Sequence, residues 1–465
     1  MKKTGSYAQR FRLQFVHNQY TSETGDKMKI YYYTFGCKVN QYETENIKEL
    51  FCSKGHDVCE DFRKADICLV NSCTVTSEAD KKCRQLIRRI RNQNPDCILI
   101  CAGCMTQAHN NISELLPECD IIVGSRKKSD IPVLTEQFIN TGERIIMIGD
   151  LDNDRKIESM HNSFVDDKTR AYIKIQDGCD MSCSYCIIPR ARGHICSKSL
   201  DSIKKEAADL IASGHKELIL TGINLSCYGR EQGNSIRLAD AVETVCSLDG
   251  DFRVRLGSLE PELLTEKDIA RLASAEKLCP QFHLSLQSGS DRILALMRRR
   301  YTSADYAVIC GRLRTFFPGC ALTTDIMVGF PTESEEDHKA SLEFVKQIGF
   351  SDAHIFTYSQ RPGTDAAAMN GQIDGAVKHR RAEEMQGITA LSREKYLRSM
   401  IGTVQRVLFE KENSPDRHQG HSANYILVTV PRTVPDISLR RRYLNVKITG
   451  SDNESCCGEI AEDIN

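Results

Sequence analysis

The stretch AYIKIQDGCDMSCSYCIIPRARG, residues 171–193, decides how the rest of the chain is read. A β-rich run, AYIKI, passes through Gly178 into three cysteines, Cys179, Cys183 and Cys186, separated by gaps of three and two residues. Three thiolates in so short a loop have the reach to grip one inorganic cluster. A four-iron cubane has four corners, so this set leaves one iron open. Ferredoxin runs use two-residue gaps and a further Cys beside Pro, whereas Ile187 and Ile188 occupy the ground before Pro189 here. Two other readings stay open on spacing alone. Cys196 would close a four-thiolate site of a carrier or structural cluster, and the three cysteines with His194 would suit tetrahedral zinc.

Downstream, ELILTG, RVRLGS, FHLSLQ, LTTDIMVGF and AHIFTYS repeat the strand pattern of AYIKI, with helical stretches such as 201–213, 262–275 and 333–347 between them. Six βα units in roughly 220 residues predict a partial α/β barrel, shorter than the eight-unit form. Loops at the carboxyl ends of barrel strands build active sites. The cysteine loop follows the first strand, and LTGINLSCYG (220–229), LGSLEP (256–261), HLSLQSGSD (283–291) and DIMVGFPTE (325–333) follow or end later ones. Gly222 in the first of these allows close backbone approach. Residues 376–398 read as one charged helix leading out of the barrel.

Upstream, KIYYYTF, ADICLV, DCILICA and CDIIVG alternate with helical YETENIKELF and SEADKKCRQLIRRIRNQ, the latter with Ser77 as N-cap and Pro95 past its end. That alternation predicts a parallel α/β domain over 28–150. The polar stretch 151–168 reads as a linker, the barrel as 169–398, and the β-rich end, 399–465, as a small all-β barrel. The fold class is therefore α/β with a small all-β domain at the end.

The chain has 465 residues, a formal net charge of −1 and 21 cysteines. No global field advertises a nucleic-acid partner, so local basic groups would have to hold one. No apolar run approaches a membrane span, and the polar N-terminal stretch lacks a signal-peptide core. A cytoplasmic, reducing location is expected, with the cysteines serving metal or redox chemistry and not disulfides. Met28 opens the first strand, so residues 1–27 are read as a dispensable extension or a misplaced start.

Among the ten cysteines of the first domain, Cys37, Cys73 and Cys104 each sit just past a strand's carboxyl end. In a parallel sheet those ends share one edge, so the three can converge. Cys52, Cys59, Cys68, Cys83, Cys97, Cys101 and Cys119 are read as small buried hydrophobes.

CxxxCxxC after the first strand of a partial barrel resembles the radical S-adenosylmethionine (SAM) superfamily. The resemblance implies that the amine and carboxylate of SAM occupy the open iron, that Tyr185 lies near the adenine, and that one electron releases a 5′-deoxyadenosyl radical. GCxxNxxE at 36–43, NSCxVT at 71–76 and GCMTQ at 103–107 narrow the resemblance to the methylthiotransferase family, covering nearly the whole chain from Met28. It implies two [4Fe–4S] clusters, one on Cys37, Cys73 and Cys104 for sulfur delivery and one on Cys179, Cys183 and Cys186 for SAM. It also implies a terminal RNA-binding TRAM barrel, an electron donor such as flavodoxin or ferredoxin, and a sulfur source.

GCKVNQYETE resembles the branch acting on N6-threonylcarbamoyladenosine at tRNA position 37, giving the C2 methylthio product. YSQRPGTDAA (358–367) resembles the tRNA-directed branches, with Gln360 departing from the Arg expected in this one. The rival branches act on isopentenyl-adenosine in tRNA or on a ribosomal-protein aspartate, and the non-enzyme rival is an RNA-binding protein with structural iron–sulfur or zinc sites. The tRNA reading asks for phosphate contacts around a single-stranded anticodon loop. KKCRQLIRRIR (81–91), RRR at 298–300 and KHRR (378–381) are local basic clusters. Arg440, Arg441 and Arg442 in the terminal domain are the preferred phosphate contacts.

Overall fold

The computed structural model describes residues 27–163, 168–233, 235–410, 416–432 and 438–461. The expectation for residues 1–27 therefore lies, Lys27 apart, outside the described residues. The chain forms two compact units. One comprises the chain up to Asn162 with Asp177–Asp180 and Cys186–Cys196; the other comprises Ser163–Gln176, Met181–Tyr185 and everything from Ser197.

In the first unit six parallel strands, β1 (Lys29–Thr34), β2 (Asp57–Cys59), β3 (Ile67–Ser72), β4 (Ile98–Gly103), β5 (Ile121–Val123) and β6 (Ile145–Met147), run in the order β2-β1-β3-β4-β5-β6. Side chains alternate across a strand, and β3 shows the result. Ile67 and Leu69 join one core with Ile47 and Phe51 of helix α1 (Lys38–Ser53). Cys68 and Val70 join the opposite core with Cys83, Ile87 and Ile90 of helix α2 (Ser77–Gln93). Helix α2 begins one residue earlier than its sequence suggests: Thr76, not Ser77, is the N-cap, its Oγ1 accepting from the Ala79 amide at 3.1 Å.

The three-residue edge strands β2 and β6 went unread because they are too short for a period and are exposed at Val58 and Ile146. Of the seven cysteines read as core, Cys68, Cys83, Cys97, Cys101 and Cys119 are buried, but Cys52 is exposed and Cys59 only half-buried. The stretch read as a linker is bound to this unit as far as Asn162. Tyr42 donates its hydroxyl hydrogen to the Met160 carbonyl at 2.8 Å, and Ser129 donates through N and Oγ to Glu158 at 2.7 and 2.8 Å. Such contacts come from partners over a hundred residues away for Met160, beyond the reach of a composition window.

The second unit carries the six strands expected of the partial barrel: β7 (Arg170–Lys174), β8 (Glu217–Thr221), β9 (Arg253–Leu256), β10 (Gln281–Leu284), β11 (Ala321–Val328) and β12 (Asp352–Thr357). All neighbouring pairs are parallel. The ladder is interrupted once. β9-β8-β7 form one sheet, and Ser258–Leu259 with β10-β11-β12 form the other, with the chain bridging them at Gly257. The returning helices are started by side-chain caps at Ser199, Thr265, Thr302 and Ser334.

A 25-residue helix, Gly375–Ser399, leads to a closed barrel of β13 (Val404–Phe409), β14 (Arg417–Ser422), β15 (Leu427–Pro431), β16 (Tyr443–Ser451) and β17 (Cys456–Ile460), in the order β13-β14-β15-β17-β16. RHQGHS and CCGEI, polar or glycine-bearing, are the two strands the sequence did not reveal.

This small barrel is seated on the amino ends of β7, β8 and β9, the ends away from the strand-terminal loops. Glu217, fully buried, accepts from Arg253 Nε at 2.5 Å and Arg255 Nε at 2.9 Å. Those arginines donate onward to the carbonyls of His421 and Ala423, both at 3.0 Å. Tyr425 lies under the guanidinium groups of Arg255 and Arg170 at 4.6 and 5.0 Å. The paired arginines hold the Glu217 carboxyl well below the usual carboxylate range despite its burial.

Candidate functional site

The first unit gathers Cys37, Cys73 and Cys104 on one edge of its sheet. Cys37 is the N-cap residue of α1. Cys73 directly follows β3, and Cys104 opens the short helix α3 (Cys104–Ala108) directly after β4. The loops are closely set: a Cβ on Gly36, whose φ is +92°, would lie 2.8 Å from both Cβ and Sγ of Cys73. Only glycine fits there. Burial pushes the Cys73 thiol up to about 12, with Cys104 and Cys37 adding to the rise. Burial likewise raises Cys104, opposed by Arg192 and Lys128. Thiols raised in this way would have to give up their protons to any metal they bound.

Behind Cys104 lies a buried polar network of Asn40, Glu43, Lys128 and Arg192. Asn40 and Glu43, three residues apart on α1, face the same way. Glu43 takes Lys128 Nζ at one oxygen and Arg192 Nη1 at 2.5 Å at the other. Asn40 Nδ2 donates to the carbonyls of Phe35 and Ser72 at 2.7 and 2.9 Å, tying two of the cysteine loops together. The signal was in GCxxNxxE, whose Asn and Glu are these residues.

The central cysteine loop is built by two glycines. Gly178 has φ +73°, and a Cβ there would meet the His194 carbonyl oxygen at 1.8 Å; Gly193 has φ +69°, with Leu151 at 2.8 Å. Cys179 N donates to the Gly193 carbonyl at 2.9 Å, closing the loop. Cys179, Cys183 and Cys186 are all half-buried. Cys196 is buried instead, its Sγ 3.2 Å from Arg126 Nη2 and 3.6 Å from the Asp177 carbonyl. His194 pairs its Nδ1 with Asp180 at 2.7 Å. Among the described residues no three such side chains stand as donors of a single metal ion. The ligands of a cubane lie farther apart, since each thiolate binds its own iron.

In the second unit Arg299 is the neighbour of Cys183. Its Nη1 is 3.4 Å from Sγ, it forms an ion pair with Glu260, and its Nε donates to Tyr301 Oη at 3.2 Å. Burial raises Cys183 and Glu260, and Arg299 opposes the rise at both. Of the basic run at 298–300, Arg299 is buried and only Arg298 and Arg300 are exposed. Tyr185 meets Phe330 edge-on at 6.5 Å. A Cβ on Gly222 would lie 2.7 Å from Gln176 Oε1, so the close approach expected at Gly222 is made by Gln176. Nearby, both carboxylate oxygens of Glu262 and Oε1 of Gln287 are buried without a hydrogen-bond partner. Gln287 holds a φ of +67°, a strained state that clusters at functional sites.

Of the terminal arginines, Arg442 is exposed, while Arg440 and Arg441 are half-buried. Arg441 donates to the Lys168 carbonyl at 3.1 Å. In KHRR, Arg381 is buried against Glu333 at 2.7 Å. Lys81, Lys82, Arg88 and Arg89 of α2 form a solvated face.

A partial parallel barrel with CxxxCxxC after its first strand defines a radical-SAM protein, and the profile for the radical SAM superfamily matches residues 173–345. The profile described as "Uncharacterized protein family UPF0004" matches residues 29–124. The threonylcarbamoyladenosine tRNA methylthiotransferase MtaB of Bacillus subtilis (strain 168) is 34% identical over 408 residues, 86% of this chain and 90% of that protein. MtaB of Thermotoga maritima is 38% identical over 381 residues, 81% and 85%. The tRNA-2-methylthio-N(6)-dimethylallyladenosine synthase of Finegoldia magna is 31% identical over 440 residues, 92% and 94%. The radical SAM methyltransferase TsrM of Kitasatospora setae shares the fold at a TM-score of 0.55 and 15% identity, covering 74% of this chain and 77% of that one. The chain belongs to the radical-SAM tRNA methylthiotransferase family and is an MtaB-like member of it. Among the described residues no helix is long and apolar enough to cross a membrane.

Proposed function

We propose that this enzyme methylthiolates C2 of N6-threonylcarbamoyladenosine at position 37 of tRNA, using two [4Fe–4S] clusters and SAM. The single observation that carries the two-cluster reading is the approach of Cys37, Cys73 and Cys104 on one sheet edge, in a chain that also bears CxxxCxxC after a barrel strand. The donor chemistry fits: a set of three thiolates leaves one iron of a cubane for a small molecule. The unpartnered acceptors of Glu262 and Gln287 suit the hydroxyls of a nucleoside.

When bound, these groups supply hydrogen abstraction from an inert carbon and a transferable methylthio sulfur. The chain's own work is placement. Gly178 and Gly193 shape the loop that presents Cys179 and Cys186, and Arg299 offers an N–H to Cys183. Tyr185, packed on Phe330, is suited to lie against an adenine. Position 37 is in a single-stranded loop, so extruding its base costs less than flipping one from a duplex. Arg442, exposed on the terminal barrel, is the arginine of its run that this reading assigns to a phosphate. An external electron donor of the flavodoxin or ferredoxin kind and a sulfur source complete the reaction.

The substrate choice rests on GCKVNQYETE and on the MtaB relatives. Dimethylallyladenosine is the second reading, favoured by the long alignment to synthases for that nucleoside. Reconstituted enzyme with SAM, reductant and two anticodon stem-loops, one carrying each precursor, tests the choice. Methylthio product on the threonylcarbamoyl stem-loop alone is expected; product on the dimethylallyl stem-loop alone would sink it.

A further inference from the structure

We infer that Arg192 is a positioning residue for the cluster of the first unit, its side chain holding the Cys104 sulfur from within the loop that carries Cys179 and Cys186. The inference rests on the reading that Cys37, Cys73 and Cys104 bind that cluster.

Arg192 closes the short helix Ile188–Arg192, six residues past Cys186, and is fully buried. Its Nε donates to Cys104 Sγ at 3.1 Å. Nη1 donates to Glu43 Oε1 at 2.5 Å and lies 3.4 Å from Asp177 Oδ2. Nη2 donates to Asn40 Oδ1 at 2.5 Å and to Glu43 Oε2 at 3.1 Å. Lys128 approaches Glu43 from the other side and Asn71 Oδ1 at 3.3 Å.

An ion pair that merely clasped the loop would need only the fork on Glu43. The Nε–H is aimed elsewhere, at a sulfur. A neutral thiol is a weak acceptor, whereas a thiolate makes a charge-assisted bond. The two cations, Arg192 and Lys128, face two carboxylates, Glu43 and Asp177, and the remaining Arg192 Nε–H points at the Cys104 sulfur. Hydrogen bonds to cluster sulfurs raise the reduction potential, because they favour the more negative reduced state. The motif residues Asn40 and Glu43 acquire a purpose on this account, which is to fix the plane of the guanidinium so that Nε faces Cys104.

The test uses the full chain with Cys179→Ala, Cys183→Ala and Cys186→Ala, so that only the first cluster assembles. Iron per chain, the spectrum of the reduced cluster by electron paramagnetic resonance, its midpoint potential, and iron loss to a chelator are compared for Arg192, Arg192→Lys, and Arg192→Met with Glu43→Met. The expected result is a four-iron cluster with Arg192, a more negative potential in both variants, an altered spectrum, and iron affinity lower by ~10-fold or more. Unchanged potential, spectrum and iron loss in folded variants would overturn the inference and leave Arg192 a structural clasp. If the double variant fails to fold, Arg192→Lys, which keeps the charge and loses the fork, decides. Absence of any cluster with Arg192 in place would instead overturn the reading of the three cysteines, and this inference with it.

Discussion

Arg299 stands with Nη1 3.4 Å from Sγ of Cys183 and is neutralised on its other side by Glu260. In its own unit this repeats what Arg192 and Glu43 do at Cys104: a buried guanidinium donates to a cysteine sulfur and is balanced by a glutamate, half-buried at Glu260 and buried at Glu43. Sulfur in an apolar surrounding resists ionisation, and a fixed N–H donor lowers that resistance. Arg299→Met is expected to lower iron occupancy at the central site by ~10- to 100-fold, read as iron bound per chain in protein lacking Cys37, Cys73 and Cys104. Unchanged occupancy would remove Arg299 from the site.

Gly178 is the tightest backbone position of the central loop. Alanine there must adopt a left-handed φ, costing about 1–2 kcal/mol, and must also displace the His194 carbonyl. Gly178→Ala is expected to abolish cluster assembly at the central site with far-ultraviolet circular dichroism little changed. Full iron loading in that variant would show that the loop tolerates another path.

Glu217 joins the partial barrel to the terminal barrel through two arginines. Removing one partner of a buried ion pair leaves the other charge uncompensated, at a cost of about 3–5 kcal/mol. Glu217→Ala is expected to lower the unfolding free energy from denaturant titration by that amount and to expose the junction to proteolysis. A loss below about 1 kcal/mol would mean that the pair behaves as a surface bridge.

His215 is buried, and burial with the nearby Arg441 lowers its pKa to about 4. A base depressed on folding contributes stability above its unfolded pKa of about 6.5, which is lost as pH falls toward the folded value. Between pH 6.5 and 4 the second unit is expected to lose about 2–3 kcal/mol from this group. His215→Asn should flatten that part of the stability curve. An identical slope in the variant would assign the acid sensitivity elsewhere.

Arg442 is exposed on the terminal barrel, whereas Arg441 serves the Lys168 carbonyl. Arg442→Glu is expected to weaken tRNA binding across sequences and to lower the salt slope by ~1, measured by filter binding over a range of salt concentrations. Arg441→Gln should act mainly on stability. Equal loss of affinity in both would restore the arginine run as a single patch.

Strands such as Glu217–Thr221 and Ala321–Val328 were legible because they bury apolar runs between loops, and the placement of the three N-terminal cysteines because strand ends of a parallel sheet share an edge. What stayed hidden depends on pairing across distance. Nothing local distinguishes Arg192 in PRARG or Arg299 in MRRRY from a solvated arginine; only the fold brings Glu43 or Glu260 to neutralise it. RHQGHS and CCGEI carry little β signal and become strands because a barrel must close. The supposed linker is held as far as Asn162 by Tyr42 and Asn46, which donate to the carbonyls of Met160 and His161, and by Ser129, which donates to Glu158, contacts that its polar composition does not reveal.

The measurement that tests the central claim most directly is mass spectrometry of nucleosides from total tRNA, with the gene present and deleted. The account predicts loss of methylthio-threonylcarbamoyladenosine with its unmethylthiolated precursor accumulating, restored by the wild-type gene and not by Cys104→Ala. Loss of the methylthio isopentenyl nucleoside instead, with the threonylcarbamoyl form untouched, would contradict the substrate.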